Sequence, residues 1–212
     1  MSDTGPTDNG GGQTPNDDRL TSRSEWSNWT VMALLVLCFF AIYYLVPKFR
    51  KEVPVEGMPQ LELQLEPLIG VQQPVESGDL TGRVVLLNFW GTWCPPCRRE
   101  FPHLAAIHEK FSDQKAFRML SVSCGPPDGP EDLASLRRDT ELFLQQMEVE
   151  MPIYADPNLV SRKAVDAQIG FQGYPTTLII GRQGKIRGTF VGFNAGDETK
   201  MEAMIDKLLA EG

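Results

Sequence analysis

Apolar residues fall into three successive regimes along the chain. Residues 1–28 show no apolar periodicity; Gly, Thr, Asn, Ser and Asp dominate, with DNGGGQTPNDD at the centre. Such a stretch buries too little apolar surface to offset its ordering entropy, which predicts a disordered polar tail. Val31 to Val46, VMALLVLCFFAIYYLV, then carries no charge, no Gly and no Pro. With Trp29 and Thr30 it approaches the ~20 residues that a bilayer core demands. Trp26 and Trp29 at one end, and Tyr43 and Tyr44 at the other, suit the membrane interfaces. A helix buried in a soluble core would show a polar side, and this run shows none. The pattern predicts one transmembrane helix over 29–47, then a charged, proline-containing stalk over 48–60.

From Leu61 the pattern becomes that of an α/β domain over 61–212. VVLLNFW (Val84 to Trp90) is a nearly continuous apolar run, as expected of a strand covered on both faces. A helix is predicted from Cys94 to about Lys110, with Phe101, Leu104, Ala105 and Ile107 inward, and FRMLSVS (Phe117 to Ser123) reads as a second strand. A helix from Glu131 to Met147 offers Leu133, Leu136, Phe143 and Leu144 to the core. MPIYA is a short strand, and Asn158 is placed to cap a brief helix holding Val160 and Val165. TTLII and KIRGTFVGF flank GRQG as a hairpin. A last helix from Asp197 sets Met201, Met204, Ile205 and Leu208 at helical spacing. Strands alternating with helices and ending in a hairpin predict a mixed sheet with helices on both faces.

Length and charge sharpen this picture. At 212 residues the chain fits one ordinary domain with extensions. A net charge of -8 argues against nucleic acid, because neutralising phosphate needs a basic face. No phosphate-cradling glycine loop and no internal repeat is present. A cleaved signal peptide would show a basic leader and small residues at its exit, whereas this leader is acidic and LVPKFRK follows the run. A lipoprotein would carry a small residue before its acylated cysteine, but Cys38 follows Leu37 in mid-span. Arg19, Arg23 and the amino terminus nearly balance Lys48, Arg50 and Lys51, so local charge does not choose the orientation.

The chemistry rests on FWGTWCPPCRREFP, Phe89 to Pro102. Cys94 and Cys97 could be a redox pair, half a metal site or two buried thiols. A zinc site needs about four ligands. Cys94, Cys97, Cys124, His103 and His108 supply them poorly, since the two histidines do not share a helix face. The redox reading has a positive physical case. A strand leading into a helix places the cysteines at the helix N-terminus, where unpaired amides and the macrodipole favour an anion. Pro95 and Pro96 suit the first helical positions, leaving the N–H groups of Cys97 and Arg98 to face the Cys94 sulfur. A thiolate there is nucleophilic near neutral pH. Cys94, the more exposed, is expected to attack and Cys97 to resolve.

With NFWGTWCPPCRREFP and GYPTTLIIGRQGKI both present, the chain resembles the thioredoxin superfamily, and within it the membrane-anchored TlpA/ResA-type thiol–disulfide oxidoreductases. DLTGRVVLLNFW is similar to that family's lead-in, and the likeness spans about Leu61 to Leu209. The resemblance implies a thioredoxin-like mixed central sheet with an N-terminal β-hairpin and a central insertion. It implies a redox-active Cys94–Cys97 disulfide, with Trp93 and Tyr174 binding substrate. It also implies a cis Tyr174–Pro175 bond in a loop beside the cysteines, with Tyr174 backbone groups at an edge open to a substrate strand. Where thioredoxins carry a buried aspartate this chain has Asn88, which shuttles no proton. Glu100, three residues after Cys97, matches the family's glutamate and is the candidate proton partner. Cys124 has no usual family counterpart and is expected in the core; Arg98 and Arg99 form a solvated basic patch able to bias substrates.

The resemblance further implies thiol–disulfide exchange with no cofactor and no metal. Expected partners are protein thiol or disulfide substrates, a membrane or extracytoplasmic electron donor, and the bilayer through 29–47. The domain is placed on the extracytoplasmic, periplasmic side of the cytoplasmic membrane, reducing protein disulfides, with apocytochrome c a candidate substrate. A disulfide-forming oxidase on the same fold, or a tethered binding or assembly module, are the alternatives.

Overall fold

The structure, a computed structural model, describes residues 22–45, 60–127 and 132–211, with side chains of the first segment described over 29–40. The chain divides into two units, Met1–Lys51 and Glu52–Gly212. The first contains helix α1 (Ser22–Leu45), whose apolar residues surround the axis instead of forming a stripe. It starts at Ser22, inside the region expected to be a disordered tail. Once a helix is nucleated, each added residue gains one hydrogen bond, so the apolar run extends into its polar leader. Trp29, Leu34, Leu37 and Phe39 are exposed. Among the described residues no helix is long and apolar enough to cross a membrane. The expected span 29–47 continues beyond the described side chains, and the stalk up to residue 59 and most of the tail lie outside the described residues.

In the second unit seven strands form one mixed sheet. They are β1 (Gln64–Ile69), β2 (Val75–Glu76), β3 (Val84–Trp90), β4 (Phe117–Ser123), β5 (Ile153–Ala155), β6 (Thr176–Ile180) and β7 (Ile186–Val191), in the order β2-β1-β5-β4-β3-β6-β7. β3 runs parallel to β4, and β4 to β5, while β1, β6 and β7 pair antiparallel with their neighbours. The fold is thioredoxin-like α/β. β1 and β2 make the N-terminal hairpin, and between β4 and β6 the chain inserts α3 (Leu133–Met147), β5 and α4 (Val160–Ile169).

Every residue of β3 is buried because both sheet faces are covered. Val84, Leu86 and Trp90 pack with α2 (Pro95–Phe111), α3 and α5 (Asp197–Ala210); Val85, Leu87 and Phe89 pack on the other face with Val165 of α4. Trp90 forms an aromatic nest with Phe101 and Phe143, ring centroids 4.5 and 5.1 Å away, and donates its indole N–H to Ser121 at 2.8 Å. That satisfies its polar edge inside the core. GRQG turns β6 into β7, with Gly184 at φ 74°, where a side chain would be strained.

Two local expectations are corrected. Leu133 is 40% exposed, since it begins α3 at the Asp132 cap, while Leu136, Phe143 and Leu144 carry the buried side. Asn158 does not cap α4: Leu159 turns through φ 59°, and the Asp156 carboxylate accepts from the N–H groups of Ser161 and Arg162 at 3.3 and 2.8 Å. That turn presents the first free amides of α4 to Asp156.

Candidate active site

Strand β3 ends at Trp90 and the chain turns through Gly91 into α2. A Cβ at Gly91 would collide with the Trp93 indole nitrogen and lie 2.9 Å from the Cys124 carbonyl. Glycine therefore allows Trp93 to fold back and donate its Nε1–H to that carbonyl at 3.0 Å. Cys94 is the N-cap of α2, with Pro95 and Pro96 at its first two positions. Prolines suit these positions because the helix requires no amide there.

Cys94 and Cys97 form a disulfide, their Cα atoms 5.3 Å apart. The Cys97 N–H donates to Cys94 Sγ at 3.3 Å. The Arg98 N–H, expected to share that task, donates instead to the Cys94 carbonyl at 3.2 Å and closes the first helical turn. Cys94 is more exposed than Cys97 only marginally, 3% against 1%, because the disulfide joins the core cluster of Trp90 and Phe101. Trp93 stands beside the pair, 38% exposed, with its ring against Tyr174 at 5.2 Å.

The Tyr174–Pro175 bond is cis. Its loop is held by the Thr176 hydroxyl, which donates to the Gly173 carbonyl at 2.6 Å, and by the Gly192 N–H, which donates to the Pro175 carbonyl at 2.8 Å. The Arg162 guanidinium donates to the Tyr174 hydroxyl. Burial pushes the Tyr174 phenol above its ordinary range, so it stays a neutral donor and acceptor. Cys124 is a buried thiol at the end of β4, as expected of a core cysteine, and it also faces Tyr174.

Glu100 lies one turn beyond Cys97 on α2 and is 4% exposed. Thr177 Oγ1 donates to its Oε1 and Asn88 Nδ2 to its Oε2, each at 3.1 Å. Asn88 Nδ2 also donates to Thr177 Oγ1 at 2.8 Å, closing a triangle. Burial raises Glu100 to a pKa of about 7; its two hydrogen bonds pull the other way, and the nearby Asp197 charge adds to the rise. A carboxyl near neutrality exchanges protons at the working pH of most proteins. Glu100 also lines a shallow cleft with His103, Phe193 and Asp197. Neither histidine joins the cysteines: His103 stacks on Phe193 at 5.5 Å, and burial holds His108 below its ordinary pKa. Among the described residues no group of three His, Cys, Asp or Glu is placed to hold a metal ion.

Thr177 and Asp197 were missed by sequence reasoning. The β3–β6 register sets Thr177 opposite Asn88, and the first turn of α5 brings Asp197 to Glu100. Neither pairing has a local sequence signal.

The profile of the AhpC/TSA family matches residues 56–189. The thiol-disulfide oxidoreductase ResA of Bacillus subtilis (strain 168) is 30% identical over 178 residues, 83% of this chain and 87% of that one. The thioredoxin-like protein YneN of the same organism is 28% identical over 158 residues, 74% of this chain and 84% of that one. Among solved structures, a Chlorobium tepidum protein assigned as the thiol:disulfide interchange protein DsbE superposes with a TM-score of 0.56 at 29% identity. The match covers 71% of this chain and 95% of that one.

Proposed function

The chain belongs to the AhpC/TSA family of the thioredoxin superfamily and is a thiol–disulfide oxidoreductase acting on protein thiols and disulfides; from that premise we propose that it is a membrane-tethered reductase of extracytoplasmic protein disulfides. The observation that carries the chemistry is the Cys94–Cys97 disulfide at the start of α2, with the Cys97 amide directed at Cys94 Sγ. In the reduced protein the same amide and the helix N-terminus stabilise a Cys94 thiolate.

That thiolate attacks one sulfur of a substrate disulfide. The Cys94–substrate bond forms, the substrate S–S bond breaks, and one substrate sulfur leaves as a thiolate that takes a proton from solvent. Cys97 then passes its proton to Glu100 and attacks Cys94 Sγ. The mixed disulfide breaks, the second substrate thiolate leaves, and Cys94–Cys97 reforms. Two electrons have moved to the substrate, and an external thiol donor restores the dithiol. Glu100 suits the second step because its pKa of about 7 lets it accept a proton near neutral pH and release it again. Tyr174 and Pro175 form the edge on which the substrate backbone docks, with Trp93 as an exposed apolar rest.

The tether is supported by the apolar circumference of α1 and by the uncharged run Val31 to Val46. The extracytoplasmic side is supported by the likeness of NFWGTWCPPCRREFP and GYPTTLIIGRQGKI to the membrane-anchored TlpA/ResA-type proteins, and apocytochrome c belongs among the candidate substrates. The deciding experiment is equilibrium titration of the full chain in detergent against glutathione. A Cys94/Cys97 potential near about -270 mV supports the reductase, whereas one near about -120 mV makes the protein a disulfide-forming oxidant.

A further inference from the structure

We propose that Arg98 and Arg99 select substrates whose disulfide is flanked by acidic residues. The inference rests on the thiol–disulfide exchange described above and concerns the choice among substrates.

The chain carries a net charge of -8, yet the residues directly following Cys97 are two exposed arginines. Helix stability gives no reason for them: the macrodipole disfavours cations in a first turn, and α2 has no acidic residue there to compensate. Neither arginine takes part in an ion pair among the described residues. The closest acidic groups of the neighbouring cleft are occupied. Asp197 accepts from Asn194 and Lys200, Glu198 accepts from the Gly196 N–H, and Glu100 is buried with Asn88 and Thr177.

The two guanidinium groups are nevertheless held in place. Arg98 lies over the Phe143 ring at 5.7 Å and Arg99 over the Phe193 ring at 5.9 Å. Phe143 packs on Trp90 in the core cluster that also holds both cysteines. Phe193 follows Gly192, whose amide is bonded to Pro175. Stacking fixes the position of each planar cation and leaves its N–H edge for a carboxylate. A substrate strand on the Tyr174–Pro175 edge would therefore run past two fixed positive charges. An acidic flank meets its complement there, whereas a basic flank meets repulsion.

The test uses the full chain in detergent and three substrates: a disulfide-cyclised peptide with Glu flanks, its twin with Lys flanks, and bis(2-hydroxyethyl) disulfide. Each peptide rate is divided by the same enzyme's rate on the small neutral disulfide, which removes changes in intrinsic thiol reactivity. The wild type is expected to favour the Glu peptide about tenfold at low salt. The ratio should approach one in about 1 M salt, where the screening length is ~3 Å. Arg98→Gln/Arg99→Gln should abolish the preference, and Arg98→Glu/Arg99→Glu should reverse it. Equal wild-type rates on the two peptides, or a preference that both variants retain, would overturn the inference and leave the exchange reaction standing. Reduction of none of the three substrates would sink the exchange reaction and this inference with it.

Discussion

Glu100→Gln should remove a pH-dependent loss of stability from the domain. The native carboxyl titrates at about 7, against 4.5 for the ordinary group. Between those values the native state keeps a proton that the unfolded state has released. The stability contributed by this group is therefore complete below about pH 4.5 and is lost as pH rises through about 7. At 1.36 kcal/mol per pKa unit the loss reaches about 3 kcal/mol in alkaline solution. Glutamine has the same shape and does not titrate, but its amide must fit the triangle. If it accepts from Thr177 Oγ1, its own NH2 group faces Asn88 Nδ2, donor against donor. Asn88 Oδ1 is buried without a hydrogen-bond partner, so rotating the Asn88 amide supplies the missing acceptor. The variant should then match the wild type within about 1 kcal/mol at about pH 5. At about pH 8.5 it should exceed the wild type by about 3 kcal/mol. Urea unfolding of the disulfide-bonded full chain in detergent, followed by tryptophan fluorescence, reads both values. Parallel losses in wild type and variant between the two pH values would refute the assignment of this titration to Glu100.

Four further outcomes follow from the same geometry. Asp197→Asn should lower the pH midpoint of thiol–disulfide exchange by a fraction of a unit, since it deletes a negative charge that raises Glu100; an unchanged midpoint counts against that coupling. Cys97→Ser should accumulate mixed disulfides on Cys94, visible on non-reducing gels and abolished by Cys94→Ser; adducts formed only by Cys94→Ser would reverse the two roles. Gly91→Ala should cost about 1–3 kcal/mol and change Trp93 fluorescence, because the new methyl displaces the indole from the Cys124 carbonyl; a variant as stable as the wild type argues against that contact. Protease added to cells with a permeabilised outer barrier should digest the oxidoreductase domain and spare the amino-terminal tail; a protected domain would place it in the cytoplasm.

Most of the fold was legible because its strands are short runs dominated by apolar and β-branched residues. Val84–Trp90, Phe117–Ser123 and Thr176–Ile180 coincide with the stretches VVLLNFW, FRMLSVS and TTLII. Burial on both faces requires such runs, and the same requirement makes them visible. Helix starts were less legible, because a cap depends on which acceptor the turn presents. Asn158 is a good capping residue by type, but Leu159 adopts a left-handed turn that no residue preference announces. The helix entry at the cysteines was legible through Pro95 and Pro96, a local feature, and the disulfide pair through the resemblance that NFWGTWCPPCRREFP carries. Its burial was not, because Cys94 is covered by groups far away in the chain, among them the aromatic cluster reaching to Phe143.

Strand β6 ties the two halves of the site together in a way that no single motif shows. Its register on β3 pairs Thr176 with Phe89 and Thr177 with Asn88. Thr177 thereby supplies a hydrogen bond to the Glu100 carboxyl, while Thr176 secures the loop that ends in Pro175. The Glu100 carboxyl and the cis-proline loop, the two parts proposed above as proton acceptor and substrate edge, are consequently held by adjacent residues of one strand. A slip of one residue would turn Thr177 to the opposite sheet face and shift the Thr176 anchor of the Pro175 loop in the same motion. The apolar half of β6, Leu178 to Ile180, buried in the core, therefore holds the candidate site as much as it holds the fold.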